Sequence, residues 1–375
     1  MTPDQHQPLR GRIASLTVRG FRSLAKVDDL QLPQLAVLIG ANGAGKSNLI
    51  RFFQMLGWML RGQNLQEFIL RQGGGDDQLF MGMRTTPRLE AEIQIETQAG
   101  RNDYRFAMSH VASDTLMLVD EAYRFSARDR AGLNQWLSLP MPAKEARITD
   151  QIETDQTARV IVRLLRGCVT YQFHDTSEKA RIKQHWDFTD NTYLRSDGAN
   201  LAPILHRLRE QDPLRYRLIT KQIARVLPNF HDFELEPTYG KLALRWSAKG
   251  VDKSFGAHLT SDGSLRLFCL LTLLNLPDAM LPDILFLDEP ELGLHPHAIG
   301  LVADMIKRVG SLRQVFLATQ SPLLVDCFDL ENIIVADIID HATRLRSLPV
   351  QDYEAWLKDD YLVSIVRASI AGSIG

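Results

Sequence analysis

The sequence predicts an α/β fold in which helices cover a parallel sheet and a smaller antiparallel sheet lies nearby. Three observations predict it. Residues 40–47 form a glycine-rich segment between an apolar run and a stretch of helical periodicity. Residues 284–287 are all apolar, as expected of a strand buried on both faces. Residues 89–96 alternate between apolar and polar side chains, which is typical of a half-buried antiparallel strand.

The first third of the chain predicts two strands, one helix and the antiparallel sheet. The apolar runs 13–18 and 35–39 predict two strands joined by a turn-rich loop. Beyond Ser47, apolar residues recur at helical spacing as far as Leu60, so a helix should begin where the glycines end. Strands at residues 89–96, 104–108 and 116–119, with a turn at 100–103, then predict a small antiparallel subdomain.

The rest of the chain predicts helices first and then alternating helices and strands. Residues 199–227 predict two helices that separate near Pro213, and a strand pair follows within residues 233–246. From Leu259 onward we predict an apolar helix, the strand 284–287, a helix at 299–309 and a strand at 315–318. This alternation is typical of a parallel sheet covered on both faces.

Composition narrows the class of protein. Of 375 residues, 45% are hydrophobic and 23% are charged, which is ordinary for a globular domain. The net charge of −2 supplies no global positive field, so any contact with DNA needs a local basic patch. Three widely separated cysteines disfavour a zinc site or a disulfide framework. We expect a cytoplasmic protein without a membrane partner, because the apolar run 265–276 is shorter than the roughly 20 residues of a membrane span.

The glycine-rich segment carries the clearest chemical signal. Residues 40–47 fit the pattern G-x-x-x-x-G-K-[ST] between a predicted strand and a predicted helix. The backbone N–H groups of such a loop, with the start of the following helix, bind phosphate oxygens. Lys46 should contact the β- and γ-phosphates of ATP and act in catalysis, and Ser47 should offer its hydroxyl to Mg²⁺. The alternative is a glycine turn with an incidental lysine. The predicted nucleotide-binding residues here are Gly40, Ala41, Asn42, Gly43, Ala44, Gly45, Lys46, Ser47 and Asn48.

A second motif lies at the end of the predicted strand 284–287, where Asp288 and Glu289 precede Pro290. We expect Asp288 to hold Mg²⁺ through water and Glu289 to polarise the attacking water as general base. Acidic residues often end buried strands, so the motif gains its meaning from the glycine-rich segment earlier in the same chain.

The order of these motifs resembles the ABC-type ATPase heads of the RecF/SMC class, in the standalone AAA_21-type form without coiled-coil arms. Residues 288–296 are similar to the Walker B motif and D-loop of that class, and residues 259–266 are similar to its signature motif. The resemblance implies that Ser261 and Gly263, with Asp262 between them, contact the γ-phosphate of ATP bound to a second copy. Taken alone, these residues predict only the N-cap of an apolar helix.

The resemblance also implies roles for an arginine and two glutamines. Residues 16–24 resemble the first strand and basic loop of the family, so Arg22 should lie near the nucleotide or face DNA; the alternative is an exposed arginine in a turn. Residues 316–322 resemble the switch strand, with Gln320 where many ABC ATPases carry histidine. Glutamine can hydrogen-bond a phosphate or water but cannot carry a proton. Gln72 is the candidate Q-loop residue at Mg²⁺, with Gln78 as the alternative.

The fold implied by the resemblance is a P-loop NTPase, an ABC-type ATPase head with an antiparallel β-subdomain and an inserted α+β region. We place the N-terminal part of the head at residues 1–125, the insertion at 126–250 and the C-terminal part at 251–375. The spacing between the glycine-rich segment and the signature is too short for SMC-type arms.

The implied function is ATP hydrolysis with Mg²⁺ by a homodimer that forms around ATP and acts on DNA, in repair or in defence against foreign DNA. The alternative is a nucleotide-switched regulatory module that controls a separately encoded effector, such as a nuclease, without direct DNA contact. No nuclease motif is identifiable in the sequence, which favours a partner of this kind. A membrane-transport subunit fits poorly, because the insertion lacks the expected coupling features.

Overall fold

The computed structural model of the protein describes residues 11–62, 64–128 and 132–347. The predicted end of the C-terminal region, at residue 375, lies outside them. The helices are α1 (Lys46–Leu60), α2 (Leu65–Arg71), α3 (Gln156–Arg166), α4 (Leu201–Gln211), α5 (Pro213–Val226), α6 (Asp262–Leu273), α7 (Pro296–Gly310) and α8 (Pro322–Val325). The strands are β1 (Gly11–Phe21), β2 (Leu24–Gln31), β3 (Leu35–Ile39), β4 (Arg88–Thr97), β5 (Gly100–Val111), β6 (Thr115–Ala127), β7 (Leu137–Ser138), β8 (Cys168–Tyr171), β9 (Trp186–Asp187), β10 (Phe230–Phe233), β11 (Lys241–Leu242), β12 (Arg245–Ala248), β13 (Ser254–Gly256), β14 (Ile284–Asp288), β15 (Gln314–Ala318), β16 (Ile333–Ile339) and β17 (Ala342–Ser347).

The chain forms two compact units. The first contains the described residues up to Val169, residues 282–286 and the described residues from Gly310 onward. The second contains residues 170–281 and 287–309. Strands β8 and β14 each begin in the first unit and end in the second. The predicted division into an N-terminal part of the head, an insertion and a C-terminal part, with boundaries at residues 125 and 250, stays a prediction.

The first unit contains the antiparallel sheet, in the order β2-β1-β4-β5-β6-β7. Strand β4 has the predicted alternation of buried and half-exposed side chains. Two local predictions were wrong. The predicted loop after β1 contains β2, whose buried Leu24, Val27 and Leu30 follow a strand pattern with one bulge. The predicted turn at 100–103 lies within β5, where fully buried Asp103 accepts hydrogen bonds from Arg101 and Arg124 and is thereby stabilised in the sheet.

The other sheet has the order β17-β16-β3-β15-β14-β8. Strand β3 pairs in parallel with both β15 and β16, while β17 pairs antiparallel with β16 at the edge. Every residue of β3 and β15 is buried, as their continuous apolar sequences predicted. The centre of this sheet is therefore parallel, as expected.

An aromatic cluster fixes α1 against this sheet. Phe53 of α1 lies with its ring centroid 4.8 Å from that of Phe286 in β14 and 5.6 Å from that of Phe316 in β15. The rings of Phe286 and Phe316 are stacked at 4.6 Å. Aromatic pairs contribute about 0.5–1.5 kcal/mol each beyond their buried area. The cluster therefore holds α1, and with it the glycine-rich segment between β3 and α1.

The second unit is an α+β region built on α4, α5, α6 and α7 with short strands. The helices α4 and α5 separate at Pro213, as predicted, and Asp212 caps α5 by accepting from the backbone N–H of Arg215. Strands β10 and β12 pair antiparallel near the predicted strand pair. Across both units, no helix of the described residues is both long and apolar enough for a membrane crossing.

Candidate functional site

The glycine-rich segment forms a closed loop between β3 and α1. Lys46, the first residue of α1, is only 5% exposed. Its Nζ donates to the backbone oxygens of Gly40, at 2.7 Å, and Ala41, at 3.0 Å. Ser47 and Asn42 are exposed to solvent. The ammonium group therefore lies within its own loop, while the hydroxyl predicted for Mg²⁺ is accessible.

The start of α1 is suited to an anion. Gly45 is the N-cap with a φ of 91°, none of the described side chains caps the helix, and its first turn carries no acidic residue. The first N–H groups of a helix lack intrahelical partners and carry partial positive charge. A phosphate group satisfies both features.

The Walker B candidate lies in the second unit. Asp288 ends β14, is 8% exposed, and accepts a hydrogen bond at Oδ2 from Nε2 of Gln172 at 2.6 Å. Gln172 follows β8, the neighbour of β14 in the sheet. Sequence reasoning missed Gln172. Asp288 was predicted because it is a polar residue at the end of an apolar strand. Gln172 follows β8 in the same way, so the same signal could have identified it.

Glu289 follows Asp288 in a left-handed backbone conformation, with a φ of 45°. This conformation is sparsely populated by residues other than glycine and costs on the order of 1–3 kcal/mol. The turn is held by hydrogen bonds from Leu292 N to Glu289 O, at 3.1 Å, and from Leu294 N to Glu291 O, at 2.9 Å. Strained backbone conformations persist only where the surrounding structure enforces them, and they cluster at functional sites. The strained backbone of Glu289 therefore supports a functional role for this residue.

The signature candidate forms the start of α6. Ser261 is the N-cap, and its Oγ accepts from the backbone N–H of Ser264 at 3.3 Å. Ser261 and Asp262 are exposed. A Cβ at Gly263 would lie 2.5 Å from the carbonyl oxygen of Gly293, in the turn after Glu289. Glycine is therefore required where this helix contacts that turn, and the N-cap stays accessible.

One guanidinium connects three segments of the second unit. Arg266 of α6 donates to the carbonyl oxygens of Phe173 and His174, just after Gln172, and to that of Leu292, each at 3.2 Å. Charged donors make the stronger protein hydrogen bonds. The signature helix, the segment that carries Gln172 and the turn after Asp288 are thereby linked.

Arg22 and the two predicted Q-loop glutamines form a cluster in the first unit. The guanidinium of Arg22 is half-buried and donates to Oε1 of Gln78 at 3.0 and 3.2 Å. Burial, and secondarily the nearby Arg51, lower the pKa of Arg22. Gln78 is fully buried and donates to Gln72 O and Gly74 O. Arg22 is therefore not a simple exposed turn residue, because the side chain of Gln78 accepts its hydrogen bonds. Which of the two glutamines is the Q-loop residue stays a prediction.

Gln72 lies at the end of α2. Its Oε1 accepts from Nη1 of Arg51 at 3.4 Å and from Nη2 of Arg22 at 3.5 Å. Its metal role stays a prediction. Gln320 is half-buried between β15 and α8. The backbone before it is fixed by the bond from Thr319 N to Leu38 O in β3, at 3.1 Å.

Comparison with known proteins identifies the family. A family model described as "AAA domain, putative AbiEii toxin, Type IV TA system", AAA_21, matches residues 35–140 and 141–326. The chain belongs to the AAA_21 family. It is 30% identical over 153 residues to a DNA replication and repair protein RecF of Anaeromyxobacter sp. (strain Fw109-5), a match that covers 36% of this chain and 41% of the relative. The chain thus spans less than half the length of that relative.

Solved Smc heads share the fold of this AAA_21 protein. An Smc head bound to the C-winged helix domain of ScpA has a TM-score of 0.58 at 17% identity, covering 91% of this chain and 99% of that one. An Smc head domain with an extended coiled coil, from Pyrococcus furiosus, has a TM-score of 0.53 at 15% identity, covering 93% and 99%. The predicted fold class and the predicted resemblance are therefore confirmed: the chain has the fold of an Smc ATPase head and resembles RecF in sequence. Family membership supports ATP binding and ATPase activity.

The oxygen donors of this AAA_21 head suit Mg²⁺. Magnesium prefers hard oxygen ligands and retains several waters. Ser47 in the first unit offers an exposed hydroxyl, and Asp288 in the second unit offers a carboxylate that accepts a hydrogen bond from Nε2 of Gln172. These donors fit the ion that the ATPase chemistry of the family implies. Among the described residues, no cluster of three or more His, Cys, Asp or Glu side chains marks another metal site.

Proposed function

We propose that this chain hydrolyses Mg–ATP to ADP and phosphate as a homodimer that closes around two ATP molecules. The loop at Lys46 carries the proposal. Its ammonium group contacts Gly40 and Ala41 through carbonyl oxygens that phosphate oxygens can replace, and the uncapped start of α1 adds N–H donors. A nucleoside triphosphate satisfies both.

The acidic pair supplies the hydrolytic chemistry in this proposal. Glu289 accepts a proton from the water that attacks the γ-phosphate, as general base. The family resemblance implies that Asp288 and Ser47 would hold Mg²⁺, which when bound would supply positive charge to the β- and γ-phosphates. Gln172 orients Asp288 and takes the metal role first predicted for Gln72. Gln320 hydrogen-bonds phosphate or water without proton transfer.

The exposed start of the signature helix supports the proposed dimer. That start, at Ser261 and Asp262, is exposed, and a helix start with a small polar cap is a second anion site. The family resemblance implies that this site binds the γ-phosphate held by the other copy. The composite site therefore needs two chains.

Steady-state turnover at increasing protein concentration tests the ATPase and the dimer together. We expect the rate per protomer to rise with concentration and then level off, and Lys46→Ala to remove both nucleotide binding and turnover. Retained nucleotide affinity in Lys46→Ala would overturn the phosphate-loop assignment. A rate per protomer that does not change with concentration would overturn the dimer.

A basic face on α5 favours DNA as the substrate on which the dimer acts. This helix has no acidic residue, and Arg217, Lys221 and Arg225 are all exposed at four-residue spacing, so they align on one side. Among its cations, only Arg215 makes an ion pair within the described residues. The aligned cations are about 6 Å apart along the helix axis. Such a row fits a phosphate backbone.

The burial of the apolar side of α5 argues against a membrane as the partner of this face. Tyr216, Ile219 and Ile223 are buried within the second unit, which leaves Leu214 and Leu218 as the exposed large apolar residues of the helix. A helix that lies in a membrane interface needs a whole apolar face. The exposed side of α5 is instead mainly cationic.

Charge reversal tests the DNA contact. In the triple variant Arg217→Glu, Lys221→Glu and Arg225→Glu, duplex binding should weaken. The slope of the logarithm of the DNA association constant against the logarithm of salt concentration is negative. Its magnitude should decrease by about 2.7, since each lost phosphate contact contributes about 0.9. A matched control reverses three exposed lysines elsewhere in the second unit and changes net charge equally: Lys179→Glu, Lys241→Glu and Lys249→Glu. Equal losses in both variants would refute a local site.

The second candidate function is control of a partner protein, and it is supported by an Smc head of this fold that is described as bound to a domain of ScpA. Under it, nucleotide-driven dimerisation controls a separately encoded effector. Turnover that rises with protein concentration but ignores duplex DNA at low and high salt would support this function. Salt-sensitive stimulation by DNA would support the first.

A further inference from the structure

Three side chains form a chain of hydrogen bonds behind the phosphate loop. Asn48, in the first turn of α1, lies with Nδ2 2.7 Å from Oγ of Ser23, in the turn between β1 and β2. Ser23 Oγ lies 2.7 Å from Oγ1 of Thr343 in β17. Thr343 Oγ1 lies 3.1 Å from the carbonyl oxygen of Ala44 in the loop. All four residues belong to the first unit.

The chemistry of the groups fixes the direction of this chain. A carbonyl oxygen only accepts, so the single hydroxyl proton of Thr343 is donated to Ala44. The proton between the two hydroxyls must then come from Ser23, whose oxygen in turn accepts from Asn48 Nδ2. Each donor has one acceptor, and the chain ends on the loop backbone.

The last bond orients one peptide group of the loop. In a trans peptide, the C=O and the following N–H point to opposite sides. Because the carbonyl of Ala44 is directed to Thr343, the N–H of Gly45 is directed away from it. The backbone N–H groups of a phosphate loop are its anion ligands. Thr343 therefore controls the direction of one of these donors.

The same contact accounts for glycine at position 45. Its φ is 91°, and a Cβ there would lie 1.8 Å from Thr343 Oγ1 and 2.8 Å from Ser23 Oγ. Thr343 is fully buried, and its backbone N–H donates to Ser23 O at 2.7 Å. The hydroxyl is therefore held directly against the loop.

We propose that Thr343 and Ser23 are positioning residues that orient the Ala44–Gly45 peptide for nucleotide phosphate. This inference rests on the proposed ATPase function and adds to it two residues from distant parts of the chain. Neither residue contacts the nucleotide in the proposal. Both act through the loop backbone.

The test compares kcat and KM for ATP, with ATPγS affinity by calorimetry, in Thr343→Val and Thr343→Ser. Loss of one hydrogen bond should raise KM and the Kd of ATPγS about fivefold to tenfold and leave kcat within about twofold. Thr343→Ser keeps the hydroxyl and should recover most of the affinity. Ser23→Ala should show a smaller loss, because Thr343 still donates to Ala44.

The matched control is Thr272→Val, since Thr272 is fully buried in α6 and its hydroxyl has no hydrogen-bond partner among the described residues. It should leave KM and kcat unchanged. Unchanged KM in Thr343→Val overturns the inference, and so does a fall in kcat alone, which indicates only a smaller folded fraction. Lys46→Ala distinguishes a failure of the proposed ATPase function from a failure of the inference about Thr343. If Lys46→Ala binds ATPγS normally, the proposed function itself is wrong, whatever the result for Thr343→Val.

Discussion

Replacing Gln172 tests whether its contact with Asp288 contributes to catalysis. The change Gln172→Ala removes a donor 2.6 Å from a nearly buried carboxylate. Hydrogen bonds to charged groups contribute about 1.5–3 kcal/mol. Because Gln172 itself is exposed, the lower end of this range applies. A loss of about 1.5 kcal/mol corresponds to a roughly tenfold lower turnover.

The isosteric change Gln172→Glu sharpens the test by placing two carboxylates together. If the side chains separate to about 4 Å, their repulsion is about 1 kcal/mol in water and about 4 kcal/mol at an effective dielectric constant of 20. A divalent cation between them relieves this repulsion. We therefore expect added Mg²⁺, without nucleotide, to raise the melting temperature of Gln172→Glu more than that of the natural protein.

The assays are steady-state ATPase rates over a magnesium titration, ATPγS affinity, and thermal unfolding with and without Mg²⁺. Nucleotide affinity should stay within about twofold in Gln172→Ala, since the phosphate loop is unchanged. Gln72→Ala serves as the matched control and should retain most of the turnover. If Gln72→Ala loses activity and Gln172→Ala does not, the metal-site role belongs to Gln72 and the reasoning from the Asp288 contact is refuted.

Three further predictions concern the turn, the signature helix and a buried carboxyl group. Glu289→Gln should lower turnover by about 10²–10⁴ while ATP-bound dimers accumulate on size-exclusion chromatography; unchanged turnover would assign the base elsewhere. Gly263→Ala should cost about 1–3 kcal/mol in urea unfolding through its clash with the carbonyl of Gly293, whereas Gly300→Ala, with open space around it, should not. Burial raises the pKa of Glu121, so its stabilising contribution is present below about pH 4.5 and is lost as pH rises through the folded-state pKa. Glu121→Gln should therefore gain unfolding free energy relative to the natural protein as pH rises, and a difference independent of pH would contradict this.

Sequence reasoning succeeded where one local pattern decides the structure. The glycine-rich segment, the apolar strand before Asp288 and the helix boundary at Pro213 all depend on residues close together in the chain. Their spacing is therefore sufficient to predict a loop, a buried strand and a helix end. The strand β2 was missed because its short, partly charged sequence gains its strand form by pairing with β1.

The site residues that were missed depend on distant contacts. Gln172 reaches Asp288 because β8 and β14 are neighbours in the sheet, and nothing near Gln172 in the sequence specifies that pairing. Ser23 and Thr343 meet because β17 returns the chain to the first turn of the fold. Burial of Asp103 in β5 is likewise explained by Arg124 on the next strand. Tertiary pairing, rather than local preference, decides all of these positions.

The pairing of β3 with β15 and β16 has a consequence for synthesis of the protein on the ribosome. Strand β3, wholly apolar, emerges early, but both of its neighbours lie near the other end of the described chain. At about 5–20 residues per second, the nascent chain exposes this strand for on the order of tens of seconds before its partners emerge. During that time its unpaired edges are open to wrong partners. Productive folding in the cell should therefore depend on chaperones that shield the first strands of the head.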